Sequence, residues 1–97
     1  MYVEADVRNA LERWNSARVR YDAAVVARMA AEEQYASEQR QFQSGVSTMF
    51  MVFERQTRFI TARSGEVRAK ADLAEAIADM DRAVARTLET HNIRLAE

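Results

Sequence analysis

Phe42-Gln43-Ser44-Gly45-Val46-Ser47-Thr48 stands almost at the midpoint of a 97-residue chain and is its only plausible turn. Gly45 can take the left-handed backbone conformation that ends a helix. Ser47 or Thr48 can then accept hydrogen bonds from the free amides of a following helix as an N-cap. No proline occurs, and the one other glycine is Gly65. A single break in a chain of this length predicts an all-α fold, a long antiparallel two-helix coiled-coil hairpin turning at Ser44–Ser47. The expected helices cover about 3–44 and about 48–90.

The flanks carry a seven-residue repeat. Ala10, Ala17, Ala24 and Ala31 recur at that interval, beside a bulky series of Val7, Trp14, Tyr21, Arg28, Tyr35 and Phe42. Ala62, Ala69, Ala76 and Ala83 repeat the pattern in the second arm. The bulky neighbours expected there are Phe53, Ile60, Val67, Leu73, Ile77, Met80, Val84 and Leu88. Alanine at one core position lets two helices approach closely while large side chains interlock beside it. The seven-residue period implies a gentle left-handed supercoil. Arg28, inside the bulky series, is expected to pack its stem and keep its head in water.

Charges at (i, i+4) reinforce both helices: Glu4–Arg8, Arg18–Asp22, Arg28–Glu32, Glu54–Arg58 and Glu66–Lys70. Each such pair contributes about 0.2–0.5 kcal/mol. Gly65 inside the second helix costs about 1 kcal/mol relative to alanine; close approach of another helix or a slight bend would explain the loss, and a tolerated defect is the equal alternative. The segment Thr87–Ile93 breaks the pattern, and loosening is expected there.

Each arm should be about 60–70 Å long at 1.5 Å per residue. A rod of two helices buries one stripe on each and therefore calls for partners or a larger parent protein. Composition excludes several functions. Fourteen basic and fifteen acidic residues give a net charge of −1, which invites neither nucleic acid nor an acidic membrane surface. Trp14, Tyr21 and Tyr35 could stack on bases, but their heptad spacing assigns them to the core. His91 is the only histidine, cysteine is absent, and no run approaches the length of a membrane-spanning helix. Glu32-Glu33 and Asp79/Asp81 lie on solvated faces rather than in a cleft that could perturb a pKa, so no enzyme, cofactor or metal is expected. The N-terminal residues do not form a signal peptide. If the parent is exported, the chain is expected to be a piece of it.

Directly after the turn, Met49-Phe50-Met51-Val52-Phe53 places five apolar residues in succession, enough to cover the whole circumference of a helix. One buried face does not require this. Either another element covers the far side or the segment is a docking end for a partner.

These residues also carry a family resemblance. Glu33-Gln34-Tyr35, Glu38-Gln39-Arg40-Gln41-Phe42-Gln43-Ser44-Gly45-Val46-Ser47-Thr48 and Val52-Phe53-Glu54-Arg55-Gln56-Thr57 resemble the periplasmic hairpin of TolC-like outer-membrane efflux factors. In that family the tip has an aromatic three residues before a glycine, then a Ser/Thr pair, then a hydrophobic stretch ending in Arg-Gln or Ala-Gln. The likeness continues through Glu66-Val67-Arg68-Ala69, Asp72-Leu73, Ala76–Ala83 and Thr87-Leu88-Glu89, spanning nearly the whole chain near the C-terminal end of such a protein.

The resemblance implies a fragment of a trimeric channel of efflux or type I secretion. Such a channel has an outer-membrane β-barrel and an α-helical tunnel across the periplasm. The C-terminal hairpin of each protomer is the inner, mobile one. Its tip meets a periplasmic adaptor protein and, through it, an inner-membrane pump. Carried over, Ser44, Gly45, Val46, Ser47, Thr48 and Met49 would contact the adaptor, with Phe42 bracing the turn. Met51 and Glu54 match positions at the tunnel entrance, where some members carry acidic residues; here only Glu54 is acidic. The family's barrel strands are absent, so the chain alone could not form a channel. Outside its parent, the hairpin is expected to dimerise into a four-helix arrangement. The alternative is a generic coiled-coil scaffold or dimerisation module.

Overall fold

In the computed structural model, which describes residues 2–96 and the side chains of residues 5–92, two helices fold back on each other. They are α1 (Tyr2–Gln43) and α2 (Met49–Ala96), and the described residues contain no strand. The hairpin is a rod with extents of 79 × 14 × 13 Å. The segment expected to loosen, Thr87–Ile93, is helical and belongs to the unbroken α2. There the Thr87 hydroxyl donates to the Ala83 carbonyl at 2.9 Å, which satisfies it within the helix.

Three cross-helix contacts fix the register. The rings of Tyr35 and Phe59 stack with centroids 5.9 Å apart. Arg28 Nε donates to Glu66 at 2.5 Å, and Arg55 Nε donates to Glu38 at 3.5 Å. Continuing this register puts Ala31 level with Ala62, Ala24 with Ala69, Ala17 with Ala76 and Ala10 with Ala83. The alanine ladders therefore face each other. Ala10, Ala17, Ala76 and Ala83 are buried, and among the described residues no large side chain is fully buried. Close approach through alanine leaves little room for bulk on the axis, so Trp14, Tyr21 and Tyr35 flank the seam half-buried.

The bulky series of α2 differs from the expected one. Leu73 and Met80 lie half-buried beside the seam, but Phe53, Ile60, Val67, Ile77, Val84 and Leu88 are exposed. The seam instead runs through Val52, Phe59, Glu66, Leu73, Met80 and Thr87. The alanines set this phase: Phe59 and Glu66 lie three before and four after Ala62, on its face, whereas Ile60 and Val67 are about 100° further round. Polar Glu66 and Thr87 occupy seam positions where apolar residues were expected.

Arg28 departs from expectation too. Its head is bonded rather than free in water, donating to Glu66 across the hairpin and to Glu32 on its own helix at 2.8 Å. Glu54–Arg58 forms at 3.0 Å. Arg18 lies over the Trp14 ring, 5.8 Å from its centroid, and Glu66 turns to Arg28. Glu4–Arg8 involves a side chain outside the described residues.

Gly65 has open space around it: a Cβ there would meet nothing within 4 Å. Close packing within the hairpin therefore does not explain this glycine.

Candidate functional site: the hairpin tip

The tip is a rigid cap at both helix ends. Gly45 has φ of +83°, the left-handed region open to glycine without a Cβ clash. Its N–H donates to the Phe42 carbonyl at 3.0 Å, and the Val46 N–H donates to the Gln41 carbonyl at 2.8 Å. These are the paired bonds of a helix that ends at a left-handed glycine. The Ser47 N–H and the Ser44 hydroxyl also donate to the Gln41 carbonyl, at 3.2 and 3.0 Å. At the start of α2, Thr48 Oγ1 accepts from the Met51 N–H at 3.2 Å, and the Thr48 carbonyl accepts from Val52 N–H at 3.1 Å. Thr48, rather than Ser47, is the N-cap.

Just below the cap, Glu38 and Arg55 lock the helices together. Glu38 is 9% exposed and accepts from Arg55, which also reaches Gln34 Oε1 at 3.5 Å. The expectations from sequence missed this cluster, although the spacing held the signal. Glu38 continues the alanine series seven residues after Ala31, and Arg55 precedes Ala62 by seven. Carboxylate and guanidinium thus replace the last alanine pair, and their bonding satisfies groups that would be costly if buried alone.

On this frame the apolar run divides. Val52 turns inward and is buried, and Met51 is half-buried. Val46 and Phe50 are 77% and 74% exposed, with Met49 and Phe53 beside them about half exposed. Phe42, at the end of the α1 seam, remains 38% exposed, while its carbonyl holds the turn. Glu54 is half-buried and bonded to Arg58, and a shallow hollow lies between Phe50, Phe53, Thr57 and these two charges. Ser44, Gly45, Val46, Ser47, Thr48 and Met49 therefore form one compact end. Met51 and Glu54 sit on the first turns of α2 behind it.

Chemically, this surface can dock an apolar partner and supply a few hydroxyl and amide contacts. Among the described residues, no group of His, Cys, Asp or Glu is placed to hold a metal ion, and no helix is long and apolar enough to cross a membrane. No protein-family model, no curated protein and no solved structure matches the chain.

Proposed function

We propose that this hairpin is the periplasmic tunnel segment of a trimeric outer-membrane efflux or secretion channel. In this reading the tip docks a periplasmic adaptor that couples the channel to an inner-membrane pump. Movement of the hairpin, with Met51 and Glu54 near the entrance, gates the tunnel.

One observation carries the reading most directly: a turn capped at both ends holds Val46, Met49 and Phe50 outward on a rigid frame. A turn whose only role was to reverse the chain would gain nothing from presenting large apolar side chains to water. Exposed anchors on a preorganised scaffold lose little entropy on docking. The ordered likeness of Phe42–Thr48 and the flanking residues to TolC-like hairpins supplies the identity of the partner. The thin alanine-based core fits a segment that completes its burial against neighbouring helices.

The generic scaffold reading accounts for the facing alanine ladders equally well and leaves the tip unexplained. Exchanging Val46 and Phe50 for glutamate in the full-length parent protein separates the two. The channel reading expects export to fail while the protein still assembles in the outer membrane. Unchanged export would remove the tip from the mechanism.

A further inference from the structure

The closed seam is interrupted midway along the rod. Glu38 and Val52 are buried at the tip end, and Ala10, Ala17, Ala76 and Ala83 at the base. Between them, over residues 18–37 of α1 and 53–75 of α2, no residue is buried. The alanine ladders that close the base are only half-buried here, at Ala24, Ala31, Ala62 and Ala69.

Two further features fall within this stretch at one level. The register sets Gly65 opposite Arg28, beside the Arg28–Glu66 pair that stands in place of an apolar layer. Gly65 follows the exposed Ser64, and a Cβ on it would meet nothing within 4 Å. Neither a positive φ nor a close contact calls for glycine here, since Gly45 alone has positive φ among the described residues. Glycine–serine pairs are recurrent sites of helix bending, because a backbone without Cβ is the least restrained.

We propose that the hairpin is jointed at this level. α2 bends at Ser64-Gly65 with α1 curving alongside, and the segment 29–64, which carries the tip, tilts as one body over the base. Local opening is easiest where buried contacts are fewest, and the unburied stretch lies between two closed ends. Arg28 and Glu66 suit a joint, because long side chains stay bonded while the helix axes tilt. An interlocked apolar layer would have to part. Above the joint, the Tyr35–Phe59 stack and the Glu38–Arg55 pair tie the two helices, so the tip moves without shearing.

Gly65 lies about 24 Å from Met49 at 1.5 Å per residue. A bend of about 20° there would carry the tip about 8 Å sideways. The joint belongs to the hairpin itself and stands whether or not the tip docks an adaptor.

Residue-resolved amide hydrogen exchange of the 97-residue chain tests it. Corrected for intrinsic rates, the amides of Gly65–Ala69 should exchange at least about fivefold faster than those of Phe53–Thr57 and Ala76–Met80. Gly65→Ala should remove most of that difference. Ala85→Gly, at an exposed position of the closed base, should not create a comparable fast segment. Even rates along α2, or an equally fast segment around Ala85→Gly, would overturn the joint.

Bending is read separately from spin-label distances, since the chain has no cysteine of its own. Labels on Thr57→Cys with Ala71→Cys span the joint. Labels on Ala71→Cys with Ala85→Cys cover an equal length of the same exposed face outside it. The first distance distribution should be clearly broader than the second and should narrow on adding Gly65→Ala. Equal widths, or a first width that Gly65→Ala leaves unchanged, contradict a bend at this level.

Discussion

Arg28 of α1 and Glu66 of α2 meet across the hairpin at 2.5 Å, each at a large-residue position of its own heptad seam. The pair stands where two apolar side chains would otherwise face each other, and Glu32 joins it from the same helix as Arg28. Hydrogen bonding to Glu66 first, and then to Glu32, pushes the already high pKa of Arg28 further up. A raised arginine pKa stabilises the fold at every pH below the ordinary arginine range. That contribution is lost only as pH climbs through the raised value, so Arg28 stays charged throughout the working range. A polar pair in an apolar seam fixes alignment, because any slip leaves it facing alkyl groups.

Replacing either partner alone, Arg28→Leu or Glu66→Leu, should lower the thermal midpoint, since Glu66 is left half-buried without its mate in the first and Arg28 keeps only Glu32 in the second. The double variant should recover much of the loss. Thermal melts of the three variants check this non-additivity, and simple addition of the two single effects would contradict it.

Ala17 is 2% exposed and level with Ala76. Ala17→Leu should cost about 1–3 kcal/mol by overpacking a gap with no room for the added carbons. Ala23→Leu, on an exposed position of the same helix, should change stability by less than about 0.5 kcal/mol. Urea titration of both variants gives the comparison, and equal effects would deny that the ladders face each other.

At the two glycines opposite signs are expected. Gly45→Ala should destabilise by about 1–2 kcal/mol, because the left-handed conformation burdens any Cβ even with empty space around it. Gly65→Ala should stabilise by about 0.5–1 kcal/mol, since it lies in a regular helix with nothing for the new methyl to strike. The same urea titrations measure both.

Thr48→Ala removes the acceptor for the Met51 N–H and should cost about 1 kcal/mol, with Thr48→Ser close to neutral. Ser47→Ala should have a smaller effect, because Ser47 contributes its backbone N–H rather than a capping side chain. A thermal shift larger for Ser47 than for Thr48 would reverse the N-cap assignment.

The hairpin was legible in the sequence because a single glycine in αL and two alanine series admit almost no other arrangement. The seam's phase along α2 was harder to read. Phe53, Ile60 and Val67 are more apolar than Val52, Glu66 and Thr87, yet the alanines, not the bulk, decide which face turns inward. The ion pairs were hidden for a related reason: Glu38, Arg55, Arg28 and Glu66 match the seven-residue spacing but not the chemistry expected of a seam. At the tip, the sequence located the turn and the apolar run. Which of the five apolar residues face water depended on Thr48 starting α2, which turns Val52 inward and leaves Phe50 outside.

The central claim, that the capped tip is a docking surface for a periplasmic adaptor, is tested most directly by a photoreactive amino acid at Val46 of the full-length parent protein in living cells. The account predicts a covalent adduct whose second component is a periplasmic adaptor protein, with none from the same probe on outward-facing Ala27. No adduct at Val46 in an exporting cell, or one with a cytoplasmic protein, would contradict it.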